Sequence, residues 1–144
     1  MLNTFRKACF LSLLLLASPS YARAELVVVV NLQNNIEQLT KTQVTNIFLG
    51  NHREFPNGLQ AKPLDLPPAQ PEKASFYRTL VNRDLDQMAA YWARLVFAGN
   101  TAPPQQLPSP QEAMQYVTNN RNAVAYMERK QIDPAQVKIV FSFP

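Results

Sequence analysis

The chain has 144 residues, 47% hydrophobic and 17% charged, with 14 Lys and Arg against 10 Asp and Glu. It is long enough and apolar enough for one packed domain. A single cysteine and a single histidine exclude a disulfide framework and a histidine- or thiolate-rich metal centre, and no basic run suits a phosphate backbone, so nucleic acid is not an expected partner.

The chain opens with a targeting pattern. Arg6 and Lys7 form a charged start, Ala8 to Ala17 a short apolar run, and Ala22-Arg23-Ala24 a small-residue cleavage site ahead of Glu25. The run is about half the length that a membrane span needs. Residues 1–24 therefore read as a secretory signal peptide, which implies export to the periplasm with cleavage after Ala24. Cys9 falls inside this segment, so the mature chain holds no thiol. Arg6, Lys7 and Arg23 leave with it, and 11 basic residues remain against 10 acidic ones. Residues 25–144 then form one near-neutral domain.

Leu26 to Val30 is an unbroken β-favouring run and predicts a strand buried on both faces. In Thr40-Lys41-Thr42-Gln43, Thr40 is the N-cap and Gln43 the third helical residue of a capping box. Leu39 and Val44 occupy the staple positions. Val44, Ile47 and Phe48 make one buried face, and Gly50 takes the left-handed position past the helix end. Pro56-Asn57-Gly58 is a turn. Leu59 to Leu66 predicts a strand that runs into the proline-rich loop Pro67 to Pro71.

A helix follows over about Glu72 to Val81, with Phe76, Leu80 and Val81 inward. Asp84-Leu85-Asp86-Gln87 starts the next. Leu85, Met88, Ala89, Trp92, Leu95 and Val96 form its apolar stripe, and Gly99 ends it. Residues 100–108 read as loop. Ser109, Pro110 and Glu112 supply an N-cap, a proline at the first position and an acid at the third for a helix to about Asn119. Val124 to Met127 and Val137 to Phe143 read as strands. The order β-α-β-α-α-α-β-β predicts an α/β fold, a mixed sheet flanked by helices.

No residue pattern supports catalysis. His52 has no partner of its kind and reads as structural. Asp84 and Asp86 read as helix-start acids. No serine stands in a nucleophile elbow, and no two glycines lie close enough for a phosphate loop. No cofactor and no metal are expected. Phe76, Tyr77, Tyr91, Trp92 and Phe97 read as helix-face packing, with Tyr91 and Arg94 off the main stripe. One candidate ligand site remains. A helix starting after Pro71 offers free N–H groups and a positive dipole end, and Lys73, Ser75 and Arg78 lie in its first two turns, a pattern suited to a small oxyanion.

"VVVVN", "LTKTQVTNIFLGNHREFPNG", "YWARLVFAGNTAPP" and "AVAYME", in this order and spacing, resemble the PstS-like periplasmic phosphate-binding proteins of ABC transporters, and more closely their short members with a single such domain. The resemblance covers nearly all of residues 26–128. It implies a single lobe of the type 2 periplasmic-binding-protein fold, roughly the second of the two lobes, starting near the hinge strand. It further implies a solute-binding role for ABC transport or sensing, with phosphate or another small oxyanion as ligand. Two features depart from the family. Ala125 replaces a glycine in the "AVAYME" strand, and "PPAQPEKASFYRTL" stands where the family has an arginine and a serine-glycine-threonine turn. A partner reading stands beside the ligand reading: a periplasmic interaction domain for a membrane sensor or a porin. Self-association into a homodimer would rebuild a cleft between two chains. An exposed apolar patch around Tyr77, Tyr91 or Phe143 would favour a protein partner. A concave basic pocket at Lys73, Ser75 and Arg78 would favour an anion.

Overall fold

The computed structural model describes residues 24–144; the proposed signal peptide, Cys9 and all but the last residue of the cleavage pattern lie outside the described residues. Five strands and four α-helices follow in the order β1 (Leu26–Asn31), α1 (Lys41–Phe48), β2 (Lys62–Asp65), α2 (Pro71–Val81), α3 (Leu85–Phe97), β3 (Gln105–Gln106), α4 (Pro110–Asn119), β4 (Ala123–Glu128) and β5 (Val137–Ser142). The sheet runs β3-β2-β4-β1-β5. It is mixed: β2 is parallel to β3 and β4, while β1 is antiparallel to β4 and β5.

β1 explains its own place. All six of its residues are buried, and successive side chains point to opposite faces, so both faces of the sheet are covered here. On the face that carries Tyr126, α1 and α2 deliver an aromatic cluster. Phe76 stacks on Tyr126 with ring centroids 3.9 Å apart, and Phe48 meets Phe76 edge-on at 4.8 Å. α4 packs on β4, β1 and β5. The Asn31 amide there donates to the carbonyls of Val117 and Thr118 at 2.8 and 3.0 Å.

The helix starts follow the sequence closely. Thr40 and Asp84 both form complete capping boxes, with Gln43 and Gln87 as the reciprocal partners, and Ser109 caps α4 through the Glu112 N–H. α2 begins at Pro71, one residue before the expected start.

Four expectations need correction. The strand expected over Leu59 to Leu66 shrinks to four residues, because Gln60 bridges back to Glu54 and the Ala61 N–H donates to the Arg53 carbonyl. The residues ahead of Lys62 thus belong to the turn around Gly58. The loop expected over 100–108 contains β3, which pairs with the end of β2. The α3 stripe is not a core face. Met88 is its one buried residue, Leu85 and Trp92 are half-buried, and Val96 and Phe97 are 53% and 95% exposed. α3 leans chiefly on α2 rather than on the sheet, so only the turn facing α2 is covered. Tyr91, expected off the packed face, instead donates its hydroxyl to the Leu49 carbonyl at 2.7 Å.

Candidate ligand cleft

β2 ends on Asp65, a carboxylate between two buried leucines. A charge in that position needs partners, and the fold supplies them from three elements. Oδ1 accepts from the Leu66 N–H at 2.8 Å and from the Tyr126 hydroxyl of β4. Oδ2 accepts from the Tyr77 hydroxyl of α2 at 2.8 Å. The Lys73 ammonium stands 3.6 Å from Oδ2, with its side chain 11% exposed. Burial first, and the negative charge of Asp65 second, push the phenols of Tyr77 and Tyr126 well above their ordinary value. Both tyrosines therefore stay neutral and donate to a carboxylate.

This cluster is the floor of a cleft of about 360 Å³. Its walls are mainly apolar, with Met88 and Trp92 of α3 on one side and Pro68 and Pro104 on others, and Gln106 adds an amide. The four acceptor sites of Asp65 are largely used by its own partners. Lys73 has three N–H donors and is the one basic group in the lining.

The structure separates the three residues that the sequence brings together. Lys73 faces the cleft, whereas Ser75 and Arg78 line a second depression of about 490 Å³ with Glu25, Thr79 and Phe143. Helical geometry gives the reason. At 100° per residue, Ser75 is turned about 200° and Arg78 about 140° from Lys73. Arg78 reaches Asn82 of its own helix at 3.5 Å. The helix start is also already acidic. Pro71 has no N–H to offer, and the buried Glu72 sits in the first turn, with Oε1 accepting from Gln131 at 3.2 Å. His52 lies exposed in the turn after α1.

Asp65, Trp92 and Pro104 are the cleft residues missed by sequence reading. Asp65 had a signal: it is the one charged residue inside "PLDL", where a buried carboxylate demands an explanation. Trp92 was read as core, and its half-burial depends on how α3 leans, which periodicity does not report.

Gly50, just past the end of α1, also finds its role. Gly50 has φ +76°, and a Cβ there would stand 2.8 Å from Thr101 Cγ2 and 3.4 Å from Trp92. "IFLG" and "YWARLVFAGNT" are thus two halves of one contact, at the back of the cleft wall.

No family model and no curated protein matches the chain. Solved structures do. An ABC-type phosphate transport receptor from Vibrio cholerae superposes with a TM-score of 0.64 at 18% identity, over 81% of this chain and 45% of the receptor. A putative phosphate ABC transporter substrate-binding protein from Clostridium perfringens, solved with bound phosphate, gives 0.66 at 15% identity over 81% and 44%. PstS from Borrelia burgdorferi gives 0.62 at 10% over 81% and 46%. The chain has the fold of a PstS-like binding-protein lobe. It spans less than half the length of those receptors. As expected from the sequence, the lobe is α/β, with a mixed sheet flanked by helices.

Proposed function

We propose that this chain is a non-catalytic solute-binding module, exported with cleavage after Ala24 so that residues 25–144 work in the periplasm. Its ligand is a small oxyanion-bearing solute, which it holds in the cleft beside Lys73 for a membrane transporter. The observation that supports this most is the position of the cleft. It opens at the carboxyl ends of the parallel strands β2 and β3, where open α/β sheets take their ligands.

The lining sets the ligand class. Asp65 neutralises much of the Lys73 charge, so bare phosphate, the simplest member of the class, is held weakly there, in roughly the millimolar range. An oxyanion with an apolar body gains more. Its body buries against Trp92, Met88 and Pro104 while its charged head takes the free donors of Lys73.

Isothermal titration of residues 25–144 with phenyl phosphate tests this, with benzyl alcohol as the uncharged control. Saturable heat that weakens at least tenfold in Lys73→Ala is the expected result. A folded protein that gives no heat, or heat indifferent to Lys73→Ala, overturns the cleft reading. Ser75→Ala and Arg78→Ala measure whether their separate depression takes any share.

A second reading has one specific observation behind it. Val96 and Phe97 are neighbouring exposed large apolar side chains at the end of α3, and contiguous exposed apolar surface marks a partner site. Tyr77 and Phe143, the other patch expected, are buried. The periplasmic part of a membrane sensor, a porin or a second copy of the chain would cover Val96 and Phe97. Sedimentation velocity across a hundredfold concentration range checks the last of these: a single monomeric species throughout removes the homodimer.

A further inference from the structure

A second basic groove lies on the other side of the Pro103–Pro104 segment from the cleft. It measures about 400 Å³ and is lined by Arg53, Lys62, Gln60, Gln105 and Asn122, with no acidic residue among them. Lys62 and Asn122 mark the amino-terminal ends of β2 and β4, so this groove is at the opposite end of the strands from Asp65.

Neither cation has a carboxylate partner among the described residues. The Arg53 guanidinium donates from Nε to the Ile47 carbonyl at 3.3 Å and from Nη1 to Thr101 Oγ1 at 3.4 Å, and its buried Nη2 has no acceptor. It lies 5.8 Å from the ring centre of Trp92. The Lys62 ammonium touches only the Tyr116 hydroxyl, at 2.5 Å, and the face of the same ring. A partly desolvated cation without an anion is costly, and here two such cations line one groove. Desolvation holds the Arg53 guanidinium below its ordinary value, which is the direction expected when no counter-charge is present.

We infer that this groove is a binding site for a tetrahedral oxyanion of the phosphate or sulfate type, held between Arg53 and Lys62 with the amides of Gln60, Gln105 and Asn122 as further donors. The site does not rest on the cleft reading. Planar guanidinium and compact ammonium together match a tetrahedral dianion, and three side-chain amides supply neutral donors around it. Pro103 and Pro104 form a wall common to both grooves. Because Arg53 stacks toward Trp92, the chain's single tryptophan, occupancy of this groove is read out directly as a change in fluorescence.

The test is a phosphate titration of the mature chain, followed by calorimetry and by Trp92 emission, on the wild type, Arg53→Gln, Lys62→Gln and Lys73→Gln. Above the weak millimolar binding of the cleft, the expected result is one tighter saturable site, weakened at least tenfold in both Arg53→Gln and Lys62→Gln and changed less than twofold in Lys73→Gln. Lys62→Gln guards against a folding defect, since its side chain is half exposed and Arg53 also ties two backbone segments. Phosphate binding that disappears in Lys73→Gln alone overturns this inference and leaves the cleft reading standing. No phosphate binding in the folded wild type also overturns it, while phenyl phosphate still tests the cleft. Glycerol phosphate separates a free ion from a phosphate carried on a larger molecule: binding within threefold of phosphate supports the groove with either source, and glycerol phosphate binding that survives both Arg53→Gln and Lys62→Gln counts against it.

Discussion

Asp65 is the residue on which stability and binding pull in opposite directions. It compensates Lys73 and accepts from two tyrosines and one backbone N–H. Asp65→Asn keeps the shape but leaves Lys73 without its counter-charge at 11% exposure. Breaking such a pair from one side costs about 3 kcal/mol. The same change frees Lys73 to meet an oxyanion. Urea unfolding of Asp65→Asn is expected to show a loss of that size, while phenyl phosphate binds more tightly than to the wild type. Tighter binding with unchanged stability, or weaker binding, would separate Asp65 from Lys73. The two tyrosines give a pH signature of the same cluster. Their folded-state values lie above the ordinary phenol value near 10, mainly because they are buried. The stability they contribute is full below pH 10 and falls as pH rises above it, because only the unfolded chain can then release those protons. The slope is about 1.4 kcal/mol per pH unit for each tyrosine. Tyr126→Phe lowers stability at pH 8 yet flattens the decline between pH 10 and 11, which urea titrations at those values will measure.

The elements whose signals are local were legible in the sequence, and those whose fate depends on neighbours were not. Capping boxes at Thr40 and Asp84, the serine cap at Ser109 and the left-handed Gly50 are each settled within five residues, and each appears in the structure. The apolar stripe of α3 was equally clear, but a stripe says only that a face wants covering. Here α2 covers one turn of it, and the remainder becomes cleft wall or exposed surface. Substitution tests this directly. Met88→Ala is expected to cost about 2–4 kcal/mol, and Phe97→Ser within about 0.5 kcal/mol of nothing, as read by thermal or urea unfolding. A Phe97→Ser cost above 2 kcal/mol would mean that Phe97 is packed in solution. Gly50 tests the joint between α1 and the segment after α3. Alanine there meets both a positive φ and a 2.8 Å approach to Thr101, so Gly50→Ala is expected to lose about 2–3 kcal/mol. Removing the obstacle with Thr101→Gly returns only the steric part.

At the scale of the whole molecule, the mixed sheet has a firm centre and a soft wall, and the cleft lies on the soft side. β1 is buried along its length and paired on both edges. α3 has one buried residue and rests mainly on α2, while β3 is two exposed residues at the sheet edge. This difference was not legible in the chain, because β1 and α3 both read as strong apolar segments; what separates them is how many layers the topology stacks on each. Local opening should follow the same gradient, since elements with few buried contacts open well below the global unfolding free energy. Hydrogen exchange is therefore expected to show amides of β1 and β4 exchanging only by global unfolding, and amides of α3 exchanging at least a hundredfold faster. Occupancy of the cleft reaches Trp92 and Met88, so a saturating organic oxyanion slows exchange in α3 and β1 by the same factor, because local opening of α3 and global unfolding both give up the ligand. Slowing in β1 with none in α3 would place the ligand away from the α3 wall, and the Arg53–Lys62 groove would then be the place to look.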